Sequence, residues 1–87
     1  MVSKKVKIIN PVGLHARPAN NFVKCAASKK SRILIRYKGQ EYNGKSIITV
    51  LKACISSGSE IEIVADGEDE TDALNALVEA VNSGLGE

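Results

Sequence analysis

Ser46-Ile47-Ile48-Thr49-Val50-Leu51-Lys52-Ala53-Cys54-Ile55 admits two readings, and the choice between them decides the fold. Ile47, Ile48, Thr49 and Val50 are all β-branched, so propensity alone favours a strand. The spacing favours a helix, because Ile47, Val50, Leu51, Cys54 and Ile55 recur at i, i+3, i+4, i+7 and i+8. Ser46 stands immediately ahead of the pattern, where its hydroxyl can accept from an unpaired first-turn N–H. Spacing and cap together predict a short helix over 47–55. Ile48, about 100° around from Ile47, then falls at the flank of the stripe as an exposed apolar contact.

On either side the period is two. Upstream, Arg32 to Tyr37 alternates, with Ile33, Ile35 and Tyr37 on one face. Lys38-Gly39 gives a turn, Glu41-Tyr42-Asn43 returns as a short strand, and Asn43-Gly44 turns again. Downstream, Ser56-Ser57-Gly58-Ser59 is a loop. Glu60 to Ala65 alternates, with Ile61, Ile63 and Ala65 inward, and Asp66-Gly67 closes it. A last helix runs from an Asp69 cap to about Asn82, with stripe Ala73, Leu74, Leu77, Val78 and Val81 and a Gly84 stop.

The front of the chain repeats the alternation of strand and helix. Val2 to Ile9 reads as a half-buried strand with Val2, Val6 and Ile8 on one face. Asn10-Pro11 breaks it, and Val12-Gly13-Leu14 leads to His15. From Ala16 the stripe is Ala19, Phe22, Val23, Ala26 and Ala27, which leaves Cys25 partly exposed. The order is β-α-β-β-α-β-α, an α+β fold in which a four-stranded sheet carries its helices on one face.

Eighty-seven residues make one domain, 1–87, and 44% apolar content supplies a core. With one Phe, two Tyr and no Trp, a nucleic-acid module that works by base stacking is disfavoured. Cys25 and Cys54 have no CxxC spacing, and a single histidine cannot complete a metal site with them, so two reduced thiols are expected. No apolar run has the length of a signal peptide or membrane span, which predicts a cytoplasmic protein without membrane insertion.

The chemistry concentrates at Gly13-Leu14-His15-Ala16-Arg17-Pro18-Ala19. Glycine permits a sharp turn before the histidine, and Pro18 suits a helix's first turn. An imidazole is thereby placed at a helix N-terminus, where unpaired N–H groups and the macrodipole favour an anion. Arg17 adds a guanidinium suited to phosphate. No serine or cysteine pairing for acyl transfer is evident. A phosphoryl group on the ring would gain about 0.3–1 kcal/mol from the helix terminus, enough to tolerate it without making it inert. Ser46 is an ordinary cap whose phosphorylation would add about −1.5 to −2 charge beside Ile47 and Ile48.

The stretch Gly13 to Ala19 resembles the active-site signature of the HPr family, phosphocarriers of the bacterial phosphoenolpyruvate:sugar phosphotransferase system (PTS). Asn43-Gly44-Lys45-Ser46-Ile47 is similar to that family's regulatory serine segment, and Asp66 to Leu77 resembles its tail. The resemblance implies an open-faced β-sandwich with antiparallel strand order 1-4-2-3 and three helices on one side. It implies that the Nδ1 atom of His15 takes a phosphoryl group from phospho-Enzyme I and passes it to sugar-specific IIA components. Arg17 would neutralise that group and Pro18 would shape the helix start. Asn20, Lys24, Lys45, Ile47, Ile48 and Leu51 match the partner-docking surface. Ser46 matches the target of a kinase/phosphorylase, through which the family reaches a catabolite-control regulator. The resemblance implies a monomer that needs no cofactor and is a substrate of Enzyme I rather than a turnover enzyme. The chain departs from the family pattern at Thr49, at Lys52-Ala53-Cys54 and, more mildly, at Asn20.

Two other functions compete with the carrier. One is a regulatory HPr-like binding protein acting in carbon catabolite control rather than sugar transport, which the presence of both His15 and Arg17 disfavours. The other is a basic RNA-binding domain, which lacks the sheet aromatics such a domain would use.

Overall fold

In the computed structural model, which describes residues 1–11 and 13–85, the elements are β1 (Val2–Lys7), α1 (Ala16–Ala27), β2 (Arg32–Tyr37), β3 (Gln40–Asn43), α2 (Ile47–Lys52), β4 (Glu60–Asp66) and α3 (Glu70–Asn82). The ambiguous segment after Ser46 is therefore helical, but shorter than its periodicity predicts. Ala53 is the C-cap, and Cys54 adopts a left-handed backbone with φ +51°. The chain reverses there, so Ile55 still reaches the core while Cys54, expected on the buried stripe, is exposed.

All four strands form one antiparallel sheet in the order β1-β4-β2-β3. The register explains its two faces. One row aligns Val6 with Ile61, and the next aligns Lys4, Ile63, Ile35 and Tyr42. Ile33, Ile35, Ile61, Ile63 and Ala65 are fully buried under the helices, joined by Phe22 of α1, Val50 of α2 and Leu77 of α3. Ala27, expected on the stripe of α1, is exposed because that helix ends at it. The stripe of α3 is buried throughout.

The other face is open. Lys5, Glu62, Arg36 and Glu41 alternate in sign across all four strands, and Arg36 pairs with Glu41 at 2.8 Å and Glu62 at 3.5 Å. Val64 lies on this face yet is buried, flanked in register by Ser3 and Leu34. Period-two reading assigns it outward, and cross-strand neighbours cover it nonetheless.

Two helix ends differ in detail from the sequence reading. Asp69 is the N-cap residue of α3, but its side chain makes no cap bond. Its carboxylate instead accepts from the N–H of Lys30 at 3.0 Å, the N–H of Ser31 at 2.8 Å and the hydroxyl of Ser31. The Ser31 hydroxyl and these backbone donors hold the Asp69 carboxyl at a pKa of about 2. At the other end, Gly84 (φ +88°) allows a Schellman closure. The Leu85 N–H donates to Ala80 O at 2.9 Å and the Gly84 N–H to Val81 O at 3.1 Å. No helix among the described residues is long and apolar enough to cross a membrane. Val12, read as part of the link into His15, lies outside the described residues, as do residues 86–87.

Candidate functional site

The segment that carries His15 is fixed from below before it is exposed above. Gly13 has φ +73°, and a Cβ built there would strike Ile55 O and come within 2.9 Å of Ser56 Cα and Ser57 N. Only glycine allows this approach. Next in the chain, Leu14 is buried and its N–H donates to Ile55 O at 2.9 Å. Beyond the histidine, Pro18 and Ala19 are buried in the first turns of α1. Between those anchors His15, Ala16 and Arg17 are all exposed.

His15 is the N-cap residue of α1, with extended backbone (φ −137°, ψ 159°) and no side-chain cap bond. A cap residue ordinarily spends its side chain on a first-turn N–H; this one leaves its imidazole in solvent. The N–H groups of Ala16 and Arg17, first and second in the helix, have no helical partner, and Pro18 has none to offer. Two backbone donors and the positive end of a 12-residue helix thus adjoin the residue that carries the imidazole, and exposed Arg17 follows two positions on. Ala16 is a non-glycine residue at φ +44°, a left-handed conformation costing roughly 1–2 kcal/mol. The buried residues on either side hold it there.

Ser46 caps α2 in the ordinary way. Its Oγ accepts from the Thr49 N–H at 3.3 Å and from the Thr49 hydroxyl at 3.0 Å. After it, Ile47 and Leu51 are half-buried, while Ile48 is 66% exposed, as the flank of the stripe predicts. Lys45, grouped with the docking residues, has its ammonium committed to Lys29 O at 2.7 Å. Asn20 and Lys24 stand exposed on α1.

Two contacts show how these groups are arranged. Ile55, just past the end of α2, bonds to Leu14 beside His15. Lys45, just before the start of α2, bonds to Lys29 beyond the end of α1. The helices pack against each other and run in opposite directions. His15 thus stands at the start of α1, beside the end of α2, and Ser46 stands at the start of α2. Ile47, Ile48 and Leu51 lie on α2 between Ser46 and the Ile55 end that bonds Leu14. The sequence reading missed Asn10, which is fully buried. A polar residue at a strand break gives no sign of burial.

Comparison with known proteins adds to this geometry. The family model described as PTS HPr component phosphorylation site matches residues 2–83. The phosphocarrier protein HPr of Neisseria meningitidis serogroup A is 37% identical over 87 residues, covering 100% of this chain and 98% of that protein. The crystal structure of HPr-C-His from Thermoanaerobacter tengcongensis superposes with a TM-score of 0.97 at 37% identity, covering 100% of this chain and 98% of that one. Crh, the Bacillus subtilis catabolite repression containing protein, crystallised as a dimer with a swapped domain, gives a TM-score of 0.77 at 37% identity over 97% of each chain.

Proposed function

The chain belongs to the HPr family of phosphocarrier proteins, and on that premise we infer that His15 is its phosphoryl acceptor. The observation that carries this reading is a cap residue that does not cap: exposed His15 at the open start of α1 with Arg17 beside it. The phosphoryl group comes from phospho-Enzyme I, whose bond to phosphorus breaks as a bond from phosphorus to Nδ1 of His15 forms. The Ala16 and Arg17 N–H groups and the Arg17 guanidinium offset the new charge. Pro18 fixes the first turn. Transfer to sugar-specific IIA components reverses the bond-making, and no cofactor takes part. The protein works as a cytoplasmic monomer.

Docking falls to Asn20, Lys24, Ile47, Ile48 and Leu51, with Lys45 behind them. Regulation falls to Ser46. A phosphate there would stand at the start of α2, beside Ile47 and Ile48. It would act on partners that dock at Ile47 and Ile48. A kinase/phosphorylase would place it, and a catabolite-control regulator would read it.

Labelled phosphoenolpyruvate with Enzyme I tests the carrier reading. Acid-labile, alkali-stable label on His15 is expected, and label undiminished in His15→Ala would overturn it. Similarity to Crh favours a second reading, regulation without sugar transport. Phosphorylation of sugar in a reconstituted system separates the two.

A further inference from the structure

Asn10 is polar and 1% exposed, an expensive place for an amide unless its bonds do something. Its Nδ2 donates to Gly84 O at 2.5 Å, across 74 residues of sequence. Among the described residues its Oδ1 is buried with no hydrogen-bond partner, and the bond to Gly84 is the one its side chain makes. The backbone of Asn10 continues the path: Gly13 N–H donates to Asn10 O at 2.9 Å, and His15 N–H donates to Gly13 O at 3.1 Å. An unbroken run of three hydrogen bonds thus leads from the turn after α3 to the backbone of His15. A second amide holds the same turn from the other side of the site. Asn21, on α1, donates from Nδ2 to Leu85 O at 2.6 Å, and Leu85 is itself buried.

We propose that Asn10 is a positioning residue for phosphoryl acceptance, clamping the His15 segment to the turn Gly84-Leu85 with Asn21 as its counterpart. The proposal rests on His15 as the acceptor and adds what holds it at the start of α1. Without the clamp, Gly13 and Leu14 keep their support from the Ile55 to Ser57 loop but lose it on the side of the C-terminal turn. His15 then samples backbone orientations other than the extended one that seats it at the open start of α1. Reaction rates are steep in such misplacement.

Asn10→Leu removes the donor and the buried amide, at the cost of fitting a larger side chain into a fully buried site. Asn21→Ala, at a half-buried position, releases the turn without touching the core of the sheet. The full chain is used as substrate for phospho-Enzyme I, well below the melting temperature of each variant. The expected result for Asn10→Leu is a kcat lowered about tenfold with KM unchanged, because the docking residues are untouched. Asn21→Ala lowers kcat about threefold, and amide exchange at Gly13 and Leu14 accelerates in both. If Asn10→Leu fails to fold, Asn21→Ala decides. Unchanged kcat in the folded variants, even with a lowered melting temperature, reduces Asn10 to a structural role and overturns the proposal. Absence of label on the wild type overturns the carrier reading and the proposal with it.

Discussion

Two helix starts in this molecule have opposite finishes. At α2 the cap residue Ser46 spends its oxygen on the Thr49 N–H and takes a second bond from the Thr49 hydroxyl. At α1 the cap residue His15 has the extended backbone of a cap and contributes nothing from its side chain. A helix start closed by its own cap has little left to offer a ligand, whereas an open one keeps unpaired donors pointing outward. In this pair the unfinished cap leaves its helix donors free for a ligand, and the finished one spends its oxygen on its own helix. The same atoms cannot serve both fully.

The largest effect comes from finishing the open start. Replacing His15 with Asp supplies a favoured cap at a position whose backbone already suits one. His15→Asp is expected to abolish phosphoryl acceptance outright while raising stability by about 0.5–1 kcal/mol. Enzyme I-dependent labelling and urea unfolding check the two halves. A variant that is inactive and also less stable would show that the imidazole contributes to the fold, and the contrast with Ser46 would weaken.

Next comes the support beneath the open start. Gly13→Ala puts a methyl against Ile55 O in a backbone with φ +73°. A forced shift of two packed segments costs about 2–4 kcal/mol, read as a lower urea midpoint at unchanged slope. The matching change at Gly39, where φ is +77° but nothing stands within 4 Å, carries only the conformational cost of about 1 kcal/mol. The difference between the two isolates the close approach.

The third helix start shows a cap residue spent elsewhere. Asp69 ties α3 to the Lys30-Ser31 turn rather than to its own first turn. Its pKa is lowered from 3.8 to about 2, so the folded state binds the proton less readily than the unfolded chain. The stabilisation is complete above about pH 4 and is lost as pH falls toward 2. Urea midpoints measured from pH 5 downward should fall in the wild type and fall less in Asp69→Asn. Parallel curves would show that other carboxylates dominate.

What could be read beforehand follows from what periodicity encodes. It says which face of a segment is apolar, so the strands, the stripe of α3 and the exposure of Ile48 were all legible. The length of α2 was not, because Cys54 and Ile55 continue the helical spacing past the residue where the backbone turns left-handed. Nor was the burial of Val64 legible, because cover on an open sheet depends on neighbours from other strands. Glycine before His15 and proline after it announced a helix start. The bonds that finish the site, from Asn10 to Gly84 and Asn21 to Leu85, join residues more than 60 positions apart, and no local pattern records them.

The smallest effect tests whether the closed start is closed by one bond or two. Ser46→Ala removes the acceptor for both Thr49 donors and should cost about 1 kcal/mol while leaving the rate of His15 phosphorylation intact. Thr49→Val removes only the hydroxyl donor, since the Thr49 N–H still reaches Ser46 Oγ at 3.3 Å. Threonine and valine have nearly equal helix propensity, so the loss reports the hydroxyl pair, about 0.5 kcal/mol. In the Ser46→Ala background the Thr49 hydroxyl has lost its partner, and Thr49→Val should then cost almost nothing. The double-mutant cycle therefore returns a coupling of about 0.5 kcal/mol. A coupling of zero would mean that the backbone cap alone closes α2 and that the Thr49 hydroxyl is a bystander. The contrast with His15 would then rest on a single hydrogen bond.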